Sequence, residues 1–344
     1  MKPIDYVAEV SSVPLGEILR RYPLVADYLA NIRLNGVDET RTLPEVLEDI
    51  DEDMLEEFGL DREEVIYHLS AFLAAFSPVK SSVDEISSIT ILGGRDKVGR
   101  PEMVELTVTP GEVVSIVGPT GSGKSRLLED IECLAQRDTP TARQILISGS
   151  VPDVNKRFTS GGKLVAQLSQ NMNFVVDLTV QEFLEMHAKS RMISDSAPVV
   201  EKCFAVANAL AGEKFTPGTK VTQLSGGQSR SLMIADTALL SSSPIILIDE
   251  LENAGLDRRE AIKLLIGNEK IVFISTHDPL LALRANKRIV IRNGGIAKVI
   301  ETTAEEEQTL RKIEAIDSIL LDIRNQIRGG GFVTKDSVPE FQER

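Results

Sequence analysis

The octapeptide Gly118-Pro119-Thr120-Gly121-Ser122-Gly123-Lys124-Ser125 constrains this chain more than any other stretch. It fits the spacing G-x-x-x-x-G-K-[ST], and its flanks suit that spacing. Ahead of it, Glu112 to Val117 reads EVVSIV, a short apolar β-branched run that follows Pro110-Gly111. Behind it, Arg126 to Ala135 reads as the start of a helix. Strand, glycine loop and helix in that order predict a phosphate cradle. The glycines let successive backbone N–H groups turn toward phosphate oxygens, and the helix N-terminus adds its dipole. Lys124 brings a full positive charge to the β- and γ-phosphates, and the Ser125 hydroxyl is placed to ligate Mg²⁺. Arg126, the next residue, is counted with the loop as nucleotide-binding.

Composition narrows the class. At 344 residues the chain is long enough for about two or three domains. The net charge is −14, and residues 1–80 hold 17 Asp and Glu against 7 Lys and Arg, so most of the acidity lies there. An acidic chain with 4% aromatics and no Trp is a poor binder of nonspecific nucleic acid, and no nucleic-acid partner is expected. Cys133 and Cys203 form no C-x-x-C pair, which fits a reducing compartment and argues against a disulfide frame or a zinc site. The opening MKPIDYVAEV lacks the apolar centre of a signal peptide, and no uninterrupted apolar run is long enough to span a bilayer. The expected location is cytoplasmic, or peripheral at the inner face of a membrane spanned by another chain.

Residues 1–80 read as a small acidic helical domain. Thr42-Leu43-Pro44-Glu45 has capping-box spacing with Pro in the first turn. Asp61 to Glu64 has the same spacing, and it opens a helix with Val65, Ile66, Leu69, Phe72, Leu73 and Phe76 on one face. That face is expected to be the domain's own core. From residue 83 to about 300, strands and helices alternate as in a mostly parallel sheet, with helical sequence interrupting over 175–240. In residues 301–344, Thr303 to Glu306 caps a helix with Leu310, Ile313, Ile316, Leu320, Ile323 and Ile327 in a stripe, ended by Gly329-Gly330-Gly331. Docking on the middle domain, or on a second copy, would each bury that stripe.

Two further motifs follow the glycine loop. Leu224-Ser225-Gly226-Gly227-Gln228 precedes a helical run, so its N–H groups are set to meet a second anion. Ile245 to Glu250 is a buried strand ending in two carboxylates, with Asp249 suited to Mg²⁺ and Glu250 to a general base on water.

On these motifs, residues 83–300 resemble an ATP-binding-cassette (ABC) ATPase. The resemblance implies an α/β P-loop NTPase fold, with a RecA-like core and a helical subdomain, here behind a small all-α domain. It implies ATP and Mg²⁺ as ligands and hydrolysis to ADP and phosphate. It also implies roles for Gln170 in Leu168-Ser169-Gln170-Asn171 as a sensor of Mg²⁺ and water, for His277 in Ser275-Thr276-His277-Asp278 as a γ-phosphate switch, and for Asp257 in Ala254-Gly255-Leu256-Asp257 at a dimer interface. Such domains pair head to tail, so that Ser225, Gly226, Gly227 and Gln228 of one copy complete the nucleotide site of the other. The expected partners are therefore a second copy on ATP binding and an unidentified protein. Residues 1–80 are similar in layout to a small helical domain usually built around a cysteine pair, but they contain no cysteine.

The chain also departs from the family. No Phe, Tyr or Trp lies between Val83 and Val117, where the family stacks adenine, so ATP is less firmly favoured over GTP. Leu251-Glu252-Asn253 stands where Pro-Thr is usual, and the arginine after the signature, Arg230, sits early. These departures and the acidic domain place first a soluble, non-transport ATPase that moves a protein partner. The alternative is the ATP-binding subunit of a transporter energising a separate permease, favoured by the full-size helical insertion. A nucleotide-gated scaffold with little turnover is disfavoured by Glu250 and His277.

Overall fold

The computed structural model describes residues 6–34, 36–76, 86–153, 157, 164–169, 174–191, 193, 195–250, 258–267, 269–334 and 337. Its strands are β1 (Ile89–Leu92), β2 (Glu105–Val108), β3 (Val113–Val117), β4 (Gln144–Ile147), β5 (Val165–Leu168), β6 (Ile245–Asp249), β7 (Ile271–Ser275), β8 (Lys287–Arg292) and β9 (Gly295–Glu301). The larger sheet has the order β5-β6-β7-β3-β8-β9. Its neighbours are parallel except β8 and β9, which form an antiparallel hairpin. The hairpin turn is Asn293-Gly294, both left-handed at φ 49° and 81°, as a tight two-residue turn requires.

The central strands are covered on both faces, which explains their unbroken apolar sequences. Along β7, alternate residues point to opposite sides. Ile271 and Phe273 join the core formed with β1, β4 and Leu127, Leu128 and Ile131 of helix Lys124–Glu132. Val272 and Ile274 join a second core with Ile234, Ala238, Ile262 and Leu281.

The sequence suggested one mostly parallel sheet. The structure instead sets β2, β1 and β4 apart as an antiparallel sheet, and it adds β9. Partner choice is a long-range matter that strand composition does not encode, and β9 is buried mainly at its start, so it lacks a continuous apolar run.

The helices near the N-terminus close around their own cluster, which includes Val10, Leu15, Ile18, Leu43, Leu47 and Leu55. Val65, Leu69 and Leu73 of helix Arg62–Phe76 are fully buried in it, so that face is this module's own core. Both expected capping boxes form. Thr42 and Glu45 exchange theirs, and Asp61 N–H donates to Glu64 at 2.9 Å while Glu64 N–H donates to Asp61 at 2.8 Å. An exposed ion pair, Lys189 Nζ to Asp27 at 2.7 Å, links the module to helix Val180–Ser190.

Helices Val180–Ser190, Ser196–Leu210 and Gly226–Leu239 share another apolar cluster. Within it Asp236 accepts from His187 Nδ1 at 2.9 Å and from both terminal nitrogens of Arg191. Helix Ala304–Arg328 buries none of its residues in this chain. Its first half is tied down by Glu314 to Arg284 and Arg259 and by Glu306 to Arg288. Ile316, Leu320 and Ile327 stay exposed while Leu310, Ile313 and Ile323 are half-buried, so the described residues cover the apolar stripe only in part.

Candidate functional site

The phosphate loop leaves the carboxyl end of β3, and β5, β6 and β7 end on the same side of the sheet. Such an edge is where open parallel sheets place ligands. Two glycines have no substitute there. A Cβ on Gly118, at φ +155°, would lie 2.5 Å from the Ile291 carbonyl oxygen, and one on Gly123, at φ +110°, would lie 2.9 Å from the Gly294 Cα. Ser122 N–H donates to Pro119 O at 3.1 Å, and Gly294 N–H donates to Ser122 O at 2.7 Å, so the β8–β9 turn supports the loop from below. Lys124 Nζ folds over the loop and donates to Gly118 O at 3.0 Å and Pro119 O at 3.3 Å. Thr120, Gly121, Ser125 and Arg126 are exposed around it. Arg126 pairs with Glu129 at 2.7 Å, and it lines a cavity of about 400 Å³ with Arg95, Lys97, Gly123 and Gly294.

One carboxylate reaches this loop. Ser125 Oγ lies 3.5 Å from Asp249 Oδ2. Glu250 follows with a left-handed backbone, φ +51°, and its N–H donates to Ser275 O at 3.0 Å. Thr276 N–H donates to Ile116 O at 3.1 Å, which sets the exposed His277, just past β7, beside β3, the strand that feeds the loop. A hydroxyl and a carboxylate at a helix N-terminus are hard oxygen donors of the kind Mg²⁺ takes alongside phosphate and water. Among the described residues no three His, Cys, Asp or Glu converge, and of the expected ion ligands Ser125 and Asp249 are the two that the described residues bring together. The loop also fits an anion. Ser122 Oγ is buried with no hydrogen-bond partner among the described residues, and the Cβ-free Gly118 passes close above it.

The second anion motif is a helix start. Ser225 is the N-cap of helix Gly226–Leu239; Gln228 N–H donates to Ser225 Oγ at 3.4 Å, and Ser225 N–H donates to Gln228 Oε1 at 2.8 Å. The glutamine side chain therefore closes a capping box. Ser225 and Gly226 are exposed, and Gly227 is half-buried. Gln170 and Asp257 lie outside the described residues.

Three supporting groups were not singled out in the sequence as site residues. Lys97 Nζ donates to Gly121 O at 3.0 Å. Arg143, fully buried, donates to Glu102 at 2.6 and 3.0 Å, to Asp130 at 2.9 Å and to Gly294 O at 2.8 Å, and so holds the turn beneath the loop. Burial pushes the Glu102 carboxyl up, but the Arg143 guanidinium and the N–H groups of Gly94 and Ile296 outweigh it and hold that carboxyl below its ordinary range. Arg230 Nη1 donates to Glu250 O at 2.9 Å. The only sequence cue to Lys97 is its charged, glycine-rich loop, and a lone arginine in Thr139 to Gln144 gives no cue at all.

The chain is similar to known proteins. The profile of the family described as ABC transporter matches residues 102–253. An uncharacterized ABC transporter ATP-binding protein of Methanocaldococcus jannaschii is 53% identical over 255 residues, which are 74% of this chain and 97% of that protein. The macrolide export ATP-binding/permease protein MacB of Brucella abortus is 32% identical over 229 residues, and the match spans only 34% of its length. A solved dimeric ATP-binding cassette in a post-hydrolysis state, bound to ADP and phosphate, is 24% identical; the match covers 63% of this chain and 99% of that one at a TM-score of 0.48.

Proposed function

This chain belongs to the ABC transporter family, and from that membership we propose that it binds MgATP between two head-to-tail copies and hydrolyses it to drive a partner protein. That it is an ABC ATP-binding protein rests on its relatives. The roles of its residues are our reading, and the carrying observation is the 3.5 Å approach of Ser125 to Asp249 at the mouth of the phosphate loop.

In this reading the Gly118–Ser125 loop grips the β- and γ-phosphates. Lys124 already lies across the loop and exchanges a carbonyl contact for a phosphate oxygen. Ser125 and Asp249 hold Mg²⁺, whose charge offsets that of the phosphates. Glu250 takes a proton from the attacking water as ADP and phosphate form, and His277 with Gln170 steadies the γ-phosphate and that water. Ser225, Gly226 and Gly227 of the second copy close the site, with Asp257 at the junction. ATP then stabilises the closed pair because only the pair offers both sets of contacts.

The names of the relatives favour a membrane permease as the partner, over the non-transport partner placed first from sequence. The exporters of that kind carry ATP-binding and permease parts in one protein. No described helix here is long and apolar enough to cross a membrane, and in this reading the permease is a separate chain. The test is Glu250→Gln. It should bind MgATP, stop releasing phosphate and accumulate as a nucleotide-dependent dimer on size exclusion. A variant that remains monomeric with saturating MgATP sinks the head-to-tail reading.

A further inference from the structure

We propose that Arg230 is a positioning residue that couples the carboxylate of one nucleotide site to the occupancy of the other. The proposal rests on the head-to-tail reading above and goes beyond it. Arg230 lies five residues past Ser225, in the helix that Ser225 caps, and is only 8% exposed. Its Nη1 donates to the backbone carbonyl of Glu250 at 2.9 Å. That peptide needs holding, because Glu250 is a non-glycine residue at φ +51°, a conformation that persists only where its surroundings impose it. The other side of Glu250 is held too, by its N–H to Ser275 O at 3.0 Å. The catalytic candidate is thus clamped between the end of β7, beside His277, and the second turn of the signature helix.

The helix is built to transmit a displacement. Ser229, Arg230 and Ser231 are buried, and Ser231 Oγ donates to Gly227 O at 2.9 Å, binding the first turn to the second. Ser225 to Arg230 spans roughly 7–8 Å along the axis. In the head-to-tail pair, Ser225 and the two glycines contact the partner's nucleotide, whereas Glu250 acts on this chain's own. A phosphate seated on the helix N-terminus therefore bears, through one rigid turn, on the backbone that aims Glu250 in the opposite site. Two ligands that bias one element are coupled, and the coupling is read as cooperativity.

The experiment compares wild type, Arg230→Met and Arg230→Lys in the full chain. It measures steady-state phosphate release against ATP concentration, and fluorescent-nucleotide affinity at concentrations where the protein is monomeric. Wild type should show a Hill coefficient above one. Arg230→Met should keep the monomer affinity within about twofold, lower kcat about tenfold or more, and bring the Hill coefficient toward one. Arg230→Lys, which retains a cationic donor, should recover part of both. Retained monomer affinity also shows that the variant folds. If Arg230→Met misfolds, the lysine variant decides: kcat and a Hill coefficient both below wild type at retained monomer affinity support the proposal, and wild-type values of both overturn it. An Arg230→Met protein with wild-type kcat and cooperativity overturns the proposal, as does a wild type without cooperativity. If Glu250→Gln never dimerises with MgATP, the head-to-tail reading fails and this inference falls with it. If it does dimerise, a negative Arg230 result is charged to this inference alone.

Discussion

Ser125 and Asp249 stand 124 positions apart in the chain, and the hydroxyl of one lies 3.5 Å from the carboxylate of the other. The sheet order makes this possible. β7 runs between β3 and β6, so the loop after β3 and the end of β6 meet over a single intervening strand. If the pair holds one ion, the two groups act as a unit. Ser125→Ala and Asp249→Asn should each cut Mg²⁺-dependent phosphate release by about a hundredfold, and the double variant should fall little further. Equal, fully additive losses in a phosphate-release assay would mean that the two do not share a ligand.

The glycine loop offers an internal control. Gly121 and Gly123 are both left-handed, but a Cβ at Gly121 meets nothing within 4 Å, whereas one at Gly123 lies 2.9 Å from the Gly294 backbone. Gly121→Ala should cost about 1–2 kcal/mol of conformational strain. Gly123→Ala should add a backbone clash and weaken nucleotide binding far more. Titration of both variants with a fluorescent nucleotide separates them, and similar affinities would show that the contact between loop and turn is not needed.

Arg143 is a buried cation facing two buried carboxylates, Glu102 and Asp130. Arg143→Met keeps the length of the side chain but strands both acids, which should cost about 3–5 kcal/mol. Urea unfolding measures this. Because Arg143 also holds Gly294 O, nucleotide affinity should fall along with stability. A variant as stable as wild type would mean that the cluster is fully compensated by its other hydrogen bonds.

Asp236 ties helix Val180–Ser190 to the signature helix and supplies an acid-side signature. Burial pushes its carboxyl up, but the hydrogen bonds from His187 and Arg191 and their charge prevail and hold it below the ordinary range. A depressed carboxyl stabilises the fold fully above its unfolded value, near pH 4, and this is lost as pH falls through the folded value. Between pH 5 and about pH 3 wild type should therefore lose stability more steeply than Asp236→Asn, even though the variant starts about 1–3 kcal/mol lower at neutral pH. Parallel slopes in denaturation curves would rule out this linkage.

Much of this protein was legible without coordinates. The capping boxes at Thr42, Asp61 and Thr303, the apolar face of Val65, Leu69 and Leu73, and the buried runs of β3, β6 and β7 are written in residues within a few positions of one another. Their conformations follow from backbone sterics, local hydrogen bonds and side-chain period, so the linear text suffices. The motif spacings likewise marked the glycine loop and the end of β6, whose Ser125 and Asp249 the structure brings to 3.5 Å. Other features were settled only in three dimensions. Which strands pair, that β1, β2 and β4 leave the main sheet, that Arg143 rather than an apolar residue fills the space beneath the loop, and that Arg230 reaches the Glu250 carbonyl all depend on contacts between distant segments. The physical reason is that a buried charge or a shared ion is stable only where its partners converge, and that convergence is created by packing the whole chain at once.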